Sequence, residues 1–529
     1  MASLEPFRLP SPLPPWPPGG GFASGVIDLG GGLLVRQVSS FNKICATSAG
    51  GPSNKGATFY APATVPEGFY VLGHYGQPND RSLHGFVMVA KADSDSCLRR
   101  PLDFMLVWSS APLGVYIWYP DTPDGYSAVG FVVSSTGIKP SLDAIRCVRS
   151  DLTDQSQADE WIWGPGKASN ATMIDVYSMR PTSRGVDAMG VPVGTFGLNS
   201  SNSQVACLKN TNPNSSSTYM PNVPQIRAVF QEYSPFIYFH PDEKYLPSSV
   251  PWYFTNGASL FKKGDESNPV KIDPSGSNLP QGGSNDGAFW IDLTGDDAAK
   301  EKLRRGSLRD AVVYLHAKPM FGGTFTDLAV WVFYPYNGPG RLKIGPLTVP
   351  LGKIGEHVGD WEHVTLRVSN FAGELWQMFC SQHSGGTWYH ASELEFFNES
   401  NKPVGYSSLN GHAMYPKAGL VLQGTGDIGI RNDTAKSNEI LDTGTTYAVI
   451  AAEYLGEEVV EPPWVNYYRE WGPKVTYSDE NEIKNVEKLL PASLKTKFEK
   501  FVKSLPKELL GEEGPTGPKV KANWTTDDT

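Results

Sequence analysis

His357-Val-Gly-Asp360-Trp361-Glu362-His363-Val364-Thr-Leu-Arg367-Val368-Ser, followed after Asn370-Phe-Ala-Gly373 by Leu375-Trp-Gln377-Met-Phe379-Cys-Ser381-Gln-His383-Ser-Gly-Gly386, decides the reading of this chain. Side chains alternate along a strand, so Asp360 and Glu362 share a face with Val364, Leu366 and Val368, while Trp361, His363, Thr365 and Arg367 point the other way. The second run has the same period and the intervening Asn-Phe-Ala-Gly is turn-like, which predicts a hairpin. If Asn370 and Gly373 close it, Val364 faces Phe379 and Asp360 faces His383. His357, Asp360, Glu362 and His383 then crowd one end. Adjacent carboxylates repel one another and resist removal from water unless a cation, an arginine or a proton compensates them. Mixed carboxylate and imidazole donors suit magnesium, calcium or manganese. The competing reading is a set of polar residues at a strand end, solvated or paired with lysines.

The chain has 529 residues, 40% apolar and 19% charged, which is globular composition with room for two or three domains. Its 55 glycines, 43 prolines and 12% aromatic residues favour many short strands joined by turns. A net charge of −10 argues against a nucleic-acid partner, since phosphate binding needs a basic field. The N-terminus shows no secretory signal pattern and no apolar run long enough for a transmembrane helix is present. The five cysteines, Cys45, Cys97, Cys147, Cys207 and Cys380, have no metal-type spacing and fit free thiols. A cytoplasmic protein, peripheral to membranes, is expected.

Pro62…Gly68-x4-Gly73, Pro120…Gly125-x4-Gly130 and Pro181…Gly185-x4-Gly190 form an internal repeat, each preceded by a β-rich run. Three such units predict a pseudo-threefold β-prism, because one unit cannot bury its own apolar face. The predicted fold is therefore mainly β. A Pro/Gly-rich segment spans 1–40, the three-repeat prism-like domain 41–198 and a Ser/Asn-rich linker 199–222. A β-sandwich with the hairpin follows at 223–476, and short helices with a mobile tail at 477–529. Residues 262–287 read as a long polar loop of the kind that is often functional.

Taken with Gly355-Glu-His-Val-Gly-Asp-Trp-Glu-His-Val and Glu513-Gly-Pro-Thr-Gly-Pro-Lys-Val-Lys521, the chain resembles plant members of the vacuolar protein sorting-associated protein 62 family. The glycine repeats are similar to those of a membrane-binding β-prism. The hairpin is similar to that of the necrosis-inducing cytolysins, which have an actinoporin-like sandwich. That resemblance implies a divalent cation, Ca2+ or Mg2+, on His357, Asp360 and Glu362. It also implies a pocket for a membrane lipid or glycosphingolipid headgroup involving His383, Trp361, Ser381 and His412. This sequence departs from the cytolysin pattern at Gly359, where those proteins carry a second histidine, and Glu356 or Asp327 are the alternative acids.

Three functions compete. The first is a lipid- or glycan-binding defence protein, insecticidal or pore-forming, that forms a homo-oligomer on membranes. The second is a cytosolic adaptor in vacuolar or endosomal sorting, and the third a metal-dependent hydrolase with Glu362 or His383 as base. No His-Glu-x-x-His or Gly-x-Ser-x-Gly motif supports the third, and no catalytic residue is assigned.

Overall fold

The computed structural model describes residues 5–93, 96–164, 174–199, 204–351, 353–382, 385–425, 428–474, 488, 495–496, 498–500 and 514–529. The chain is mainly β, and its helices are short. No helix among the described residues is long and apolar enough to cross a membrane.

Three topologically equivalent units make up the first module. Each has a three-stranded sheet whose strands lie in chain order: Phe41–Ala46, Ala57–Pro62 and Tyr75–Pro78; Asp103–Ser110, Val115–Asp121 and Val132–Ser134; Ser156–Trp163, Val176–Pro181 and Phe196–Leu198. Each unit also has a second sheet in which the last strand lies between two earlier ones, as Val87–Ala92 does between Leu33–Val38 and Tyr70–Val71, where Ile27–Asp28 adds a fourth strand. Gly73 and Gly130 meet so closely that a Cβ on either would lie under 3.0 Å from the other's Cα, and Thr195 completes the contact. Only glycine permits that approach. The third unit is thus offset from the sequence repeat: Thr195, and not Gly190, meets Gly73 and Gly130. Phe59, Phe131 and Phe196 fill the centre, with Trp163 packed on Trp108.

Two expected boundaries shift. The segment 1–40 contains Ile27–Asp28 and Leu33–Val38, which pair into the first unit, and its proline-rich part lies across the second module. There Ser11 exchanges hydrogen bonds with the Asn401 side chain, and Trp16 donates to the Ala372 carbonyl. Within 199–222, Cys207–Lys209 is a strand of the third unit and Ser215–Tyr219 is helical, because buried Cys207 and Leu208 complete that unit's core.

The second module is built on six strands: β1 (Val313–Met320), β2 (Phe325–Asn337), β3 (His357–Ser369), β4 (Leu375–Gln382), β5 (Gly385–His390) and β6 (Tyr447–Ala451). They lie in the order β5-β4-β3-β2-β1-β6. Both faces are covered, so β2 and β3 are buried almost throughout. On one face Val330, Val332, Val364, Leu366 and Val368 pack under the helix Val223–Tyr233. That helix is opened by a reciprocal capping box between Asn222 and Gln225. On the other face Trp331, Phe333 and Trp361 meet Trp464, Trp471 and Tyr467. The segment 262–287 is pinned to that core by Ile272 and Leu279, each under 5% exposed.

The β3–β4 hairpin begins in the expected register, Val368 opposite Leu375, then slips by one, so Val364 faces Cys380 and not Phe379. The extra residue is Trp376. Its buried ring stacks on His84 of the first module at 4.4 Å, so packing between modules produces the bulge.

The tail after Gly511, expected to be mobile, is held down from Gly514 onward. Trp524, Asp527 and Asp528 are each at most 5% exposed. Asp527 pairs with Arg367 of β3 and with Arg184 of the first module, both at 2.5 Å. Asp528 reaches His363 at 3.0 Å, and Lys318 donates to the Asn523 and Thr526 carbonyls. Buried cations on the sheet need these partners. The helices predicted over 480–502 lie mostly outside the described residues.

Candidate functional site

At the start of β3 the sheet comes apart. β4 pairs with β3 only from Val364 onward, and the His363 amide donates to the Ser381 hydroxyl at 3.0 Å in place of a ladder bond. Ser381 in turn donates to Glu362. Along this opened edge lies a cavity of about 410 Å³, bordered by His357, Asp360, Glu362 and Ser381. Arg341 and Arg431 border it too, and Lys521 to Thr529 contribute much of the remaining wall. Such a volume suits a small polar ligand.

Asp360 and Glu362 are 8% and 6% exposed and share one face, as the alternation requires. Beneath them His412 is fully buried, its ring stacked on Tyr334 at 3.9 Å. Its Nδ1 lies 2.9 Å from Asp360, and its Nε2 3.9 Å from Glu243. Glu243 is fixed by the amides of Lys244, Tyr245 and Asn410. His412 and Asn410 both have positive φ, 56° and 69°, a conformation costing about 1–2 kcal/mol for a residue with a Cβ. The loop therefore holds the imidazole in place at an energetic cost.

Burial disfavours charge on all three groups, and their mutual contacts decide the outcome. For His412 burial is outweighed by the bonds to Asp360 and Glu243, which push it up to about 9. For Asp360 burial is likewise outweighed, by the His412 bond, and its pKa falls. Glu362 has no such cation: burial and then the Asp360 charge push it up to about 8.

The predicted residues separate as follows. Asp360, Glu362 and Ser381 come together at the cavity, and His412 supports them from below. His357 borders the cavity, half-buried, with Nδ1 2.8 Å from the Gly359 carbonyl. Trp361 borders it with only 2% exposure, its ring packed against Trp464, Trp471 and Phe333, so it offers little face to a ligand. His383 lies outside the described residues. Asp327, an alternative acid, is bound by Arg367 in two hydrogen bonds of 2.7 and 2.8 Å. Gly359 has φ of 71°, and a Cβ there would lie 2.4 Å from the Trp471 carbonyl, so a histidine cannot replace it without moving that chain. Glu243, Arg341, Arg431 and Lys521 were not singled out from sequence, because nothing local marks them; the fold brings them in from distant segments.

Among the described residues, no three His, Cys, Asp or Glu side chains gather as a metal cage. Magnesium and calcium are commonly held by one or two carboxylates plus water and ligand oxygens, and Asp360 and Glu362 are the two acids of β3 that border this cavity.

Fold and site together define a two-module β protein whose second module carries a carboxylate-floored cavity. The chain belongs to the vacuolar protein sorting-associated protein 62 family, whose model matches residues 3–528. It is 32% identical over 110 residues to vacuolar protein sorting-associated protein 62 of Saccharomyces cerevisiae, covering 18% of this chain and 22% of that one. It is 26% identical over 231 residues to a yeast protein named for vacuolar sorting, TDA6, covering 37% and 47%. The chain thus spans less than half the length of each of these relatives. Among solved structures it is similar to GNIP1Aa from Chromobacterium piscinae, with 21% identity, 34% and 37% coverage and a TM-score of 0.28. It is also similar to NLPPya in complex with glucosamine, with 13% identity, 40% and 74% coverage and a TM-score of 0.21. Scores this low carry no argument about activity.

Proposed function

We propose that the protein binds the polar headgroup of a membrane lipid or glycan in the cavity at the opened edge of β3, with a hydrated divalent cation, Ca2+ or Mg2+, on Asp360 and Glu362. The observation that carries this reading is the pair of buried carboxylates facing a cavity of about 410 Å³. Asp360 is held by His412, but among the described residues no protein cation bonds Glu362, which keeps its proton up to about 8, and a divalent cation bound there would displace that proton. His412 fixes Asp360, and Ser381 fixes Glu362. The cation, when bound, would offset the carboxylate repulsion and supply further sites for ligand oxygens. Binding, not catalysis, is the activity proposed, and a membrane-damaging defence protein and a sorting adaptor are its two forms.

The test is co-sedimentation and dye leakage with sphingolipid-containing vesicles, in calcium or magnesium and then in chelator. Metal-dependent binding lost in Asp360→Asn/Glu362→Gln supports the reading. Leakage makes the protein membrane-damaging, and binding without leakage favours the adaptor, as the names of the yeast relatives do. Binding unchanged in the double variant overturns the assignment of the site.

A further inference from the structure

We propose that the cavity is built for a phosphorylated polyol, with hydroxyls on the carboxylate floor and a phosphate on an arginine wall. This rests on the headgroup reading above and names the ligand's chemistry. Arg341 and Arg431 border the same cavity as Asp360 and Glu362. They sit on adjacent antiparallel strands, Arg341–Ile344 and Ile428–Thr434, with Leu342 opposite Ile430. One carboxylate serves both arginines: Asp433 takes two hydrogen bonds from Arg431, at 2.9 and 2.6 Å, and lies 3.3 Å from Arg341. Two guanidinium groups against one acid leave a positive charge on that wall. Arg341 is one-third exposed and makes the weaker contact, so its fork is the more available for an anion.

The floor has the opposite character. Asp360 is a buried acceptor with the Glu362 carboxyl beside it, and Asp528, also bordering the cavity and 1% exposed, has one carboxylate oxygen without a hydrogen-bond partner. A neutral sugar would use the floor and leave the arginine wall idle. Free phosphate would meet the arginines but gain nothing from the acids. A ligand with hydroxyl donors at one end and a phosphate at the other uses both, with its hydroxyls reaching the carboxylates directly or through their cation. Inositol phosphate and hexose phosphate are of this class, whether as a lipid headgroup or free in solution.

Titration calorimetry on the full chain with inositol 1-phosphate, inositol and inorganic phosphate tests the proposal, beside co-sedimentation with phosphatidylinositol and phosphatidylcholine vesicles. The expected result is that inositol 1-phosphate binds at least tenfold tighter than inositol or phosphate. Arg341→Gln should remove that gain. Arg341 is the chosen position because Arg431 also braces Asp433 and Thr348. Preference for phosphatidylinositol vesicles, lost in Arg341→Gln, supports the same chemistry with a lipid as its source. Equal binding of inositol with and without its phosphate, or no effect of Arg341→Gln on a properly folded chain, overturns the inference and leaves the headgroup reading standing. No binding to any of these probes overturns the inference, and the headgroup reading is then decided separately by the sphingolipid vesicles.

Discussion

Replacing Arg367 with methionine should be among the most damaging single changes in this protein. The guanidinium lies within the sheet at 4% exposure, between the rings of Trp388 at 3.9 Å and Phe321 at 4.5 Å. It donates twice to Asp327, which is fully buried, and once to Asp527. Methionine keeps much of the volume but strands the Asp327 carboxylate. Asp527 keeps Arg184, so it is the less affected partner. Removing one member of a buried pair costs about 3–5 kcal/mol, and the lost ring contacts add roughly 1 kcal/mol. The total, about 4–6 kcal/mol, is a large share of the ~5–15 kcal/mol by which domains are stable. Urea denaturation followed by tryptophan fluorescence should show this as a lowered midpoint for the second module. Adding Asp327→Asn should restore at least about 2 kcal/mol, because the stranded charge is then gone. An Arg367→Met protein within about 1 kcal/mol of the parent, or a double variant weaker than the single one, would refute this account of the network.

Raising pH should weaken the second module through two groups. Glu362 keeps its proton in the fold up to about 8, so its contribution is fully present below its unfolded value and is lost as pH rises toward 8. His412, raised to about 9, contributes below its unfolded value near 6.5 and loses this on the way to 9. Melting temperatures from pH 7 to 9, above the range in which the buried neutral His316 and His363 act in the opposite sense, should therefore fall, less steeply in Glu362→Gln, and an unchanged slope in that variant would contradict the assignment. Gly359→Ala should cost about 1–3 kcal/mol, from its positive φ and the Trp471 carbonyl in the way, read as a lower melting temperature. Asp360→Asn with Glu362→Gln should abolish any rise in melting temperature on adding calcium or magnesium, and the same rise in parent and variant would exclude these acids as ligands.

The hairpin was legible because alternation over thirteen residues of β3 admits few alternatives, and Asp360 and Glu362 fall on the face the pattern assigns them. Its register was not legible beyond the bulge, since Trp376 is displaced by His84, nearly three hundred residues earlier. The threefold module could be read from glycine spacing for two units, whereas the third required the contact among Gly73, Gly130 and Thr195. The acidic tail looked mobile because Asp527 and Asp528 read as solvated charges until Arg367, Lys318 and His363 are seen beneath them. Of the site, the ligand-type residues on β3 carried a signal in their sequence, while Glu243, Arg341, Arg431 and Lys521 are each brought by a different part of the chain.

A body with three equivalent sides cannot rest on a neighbour without making those sides unequal. Here the first unit leans on the sandwich through His84 and Trp376, and the third through Glu160 with His390 and Arg184 with Asp527. Among the described residues, no hydrogen bond or ion pair ties the middle unit, 98–149, to the second module. That unit carries Leu102, Met105, Leu106, Leu113, Ile138 and Leu142, all more than 40% exposed. Docking has thus sorted three copies of one design into two that serve as foundation and one that remains a façade, and substitutions there can alter the protein's outer surface without disturbing how its halves are joined.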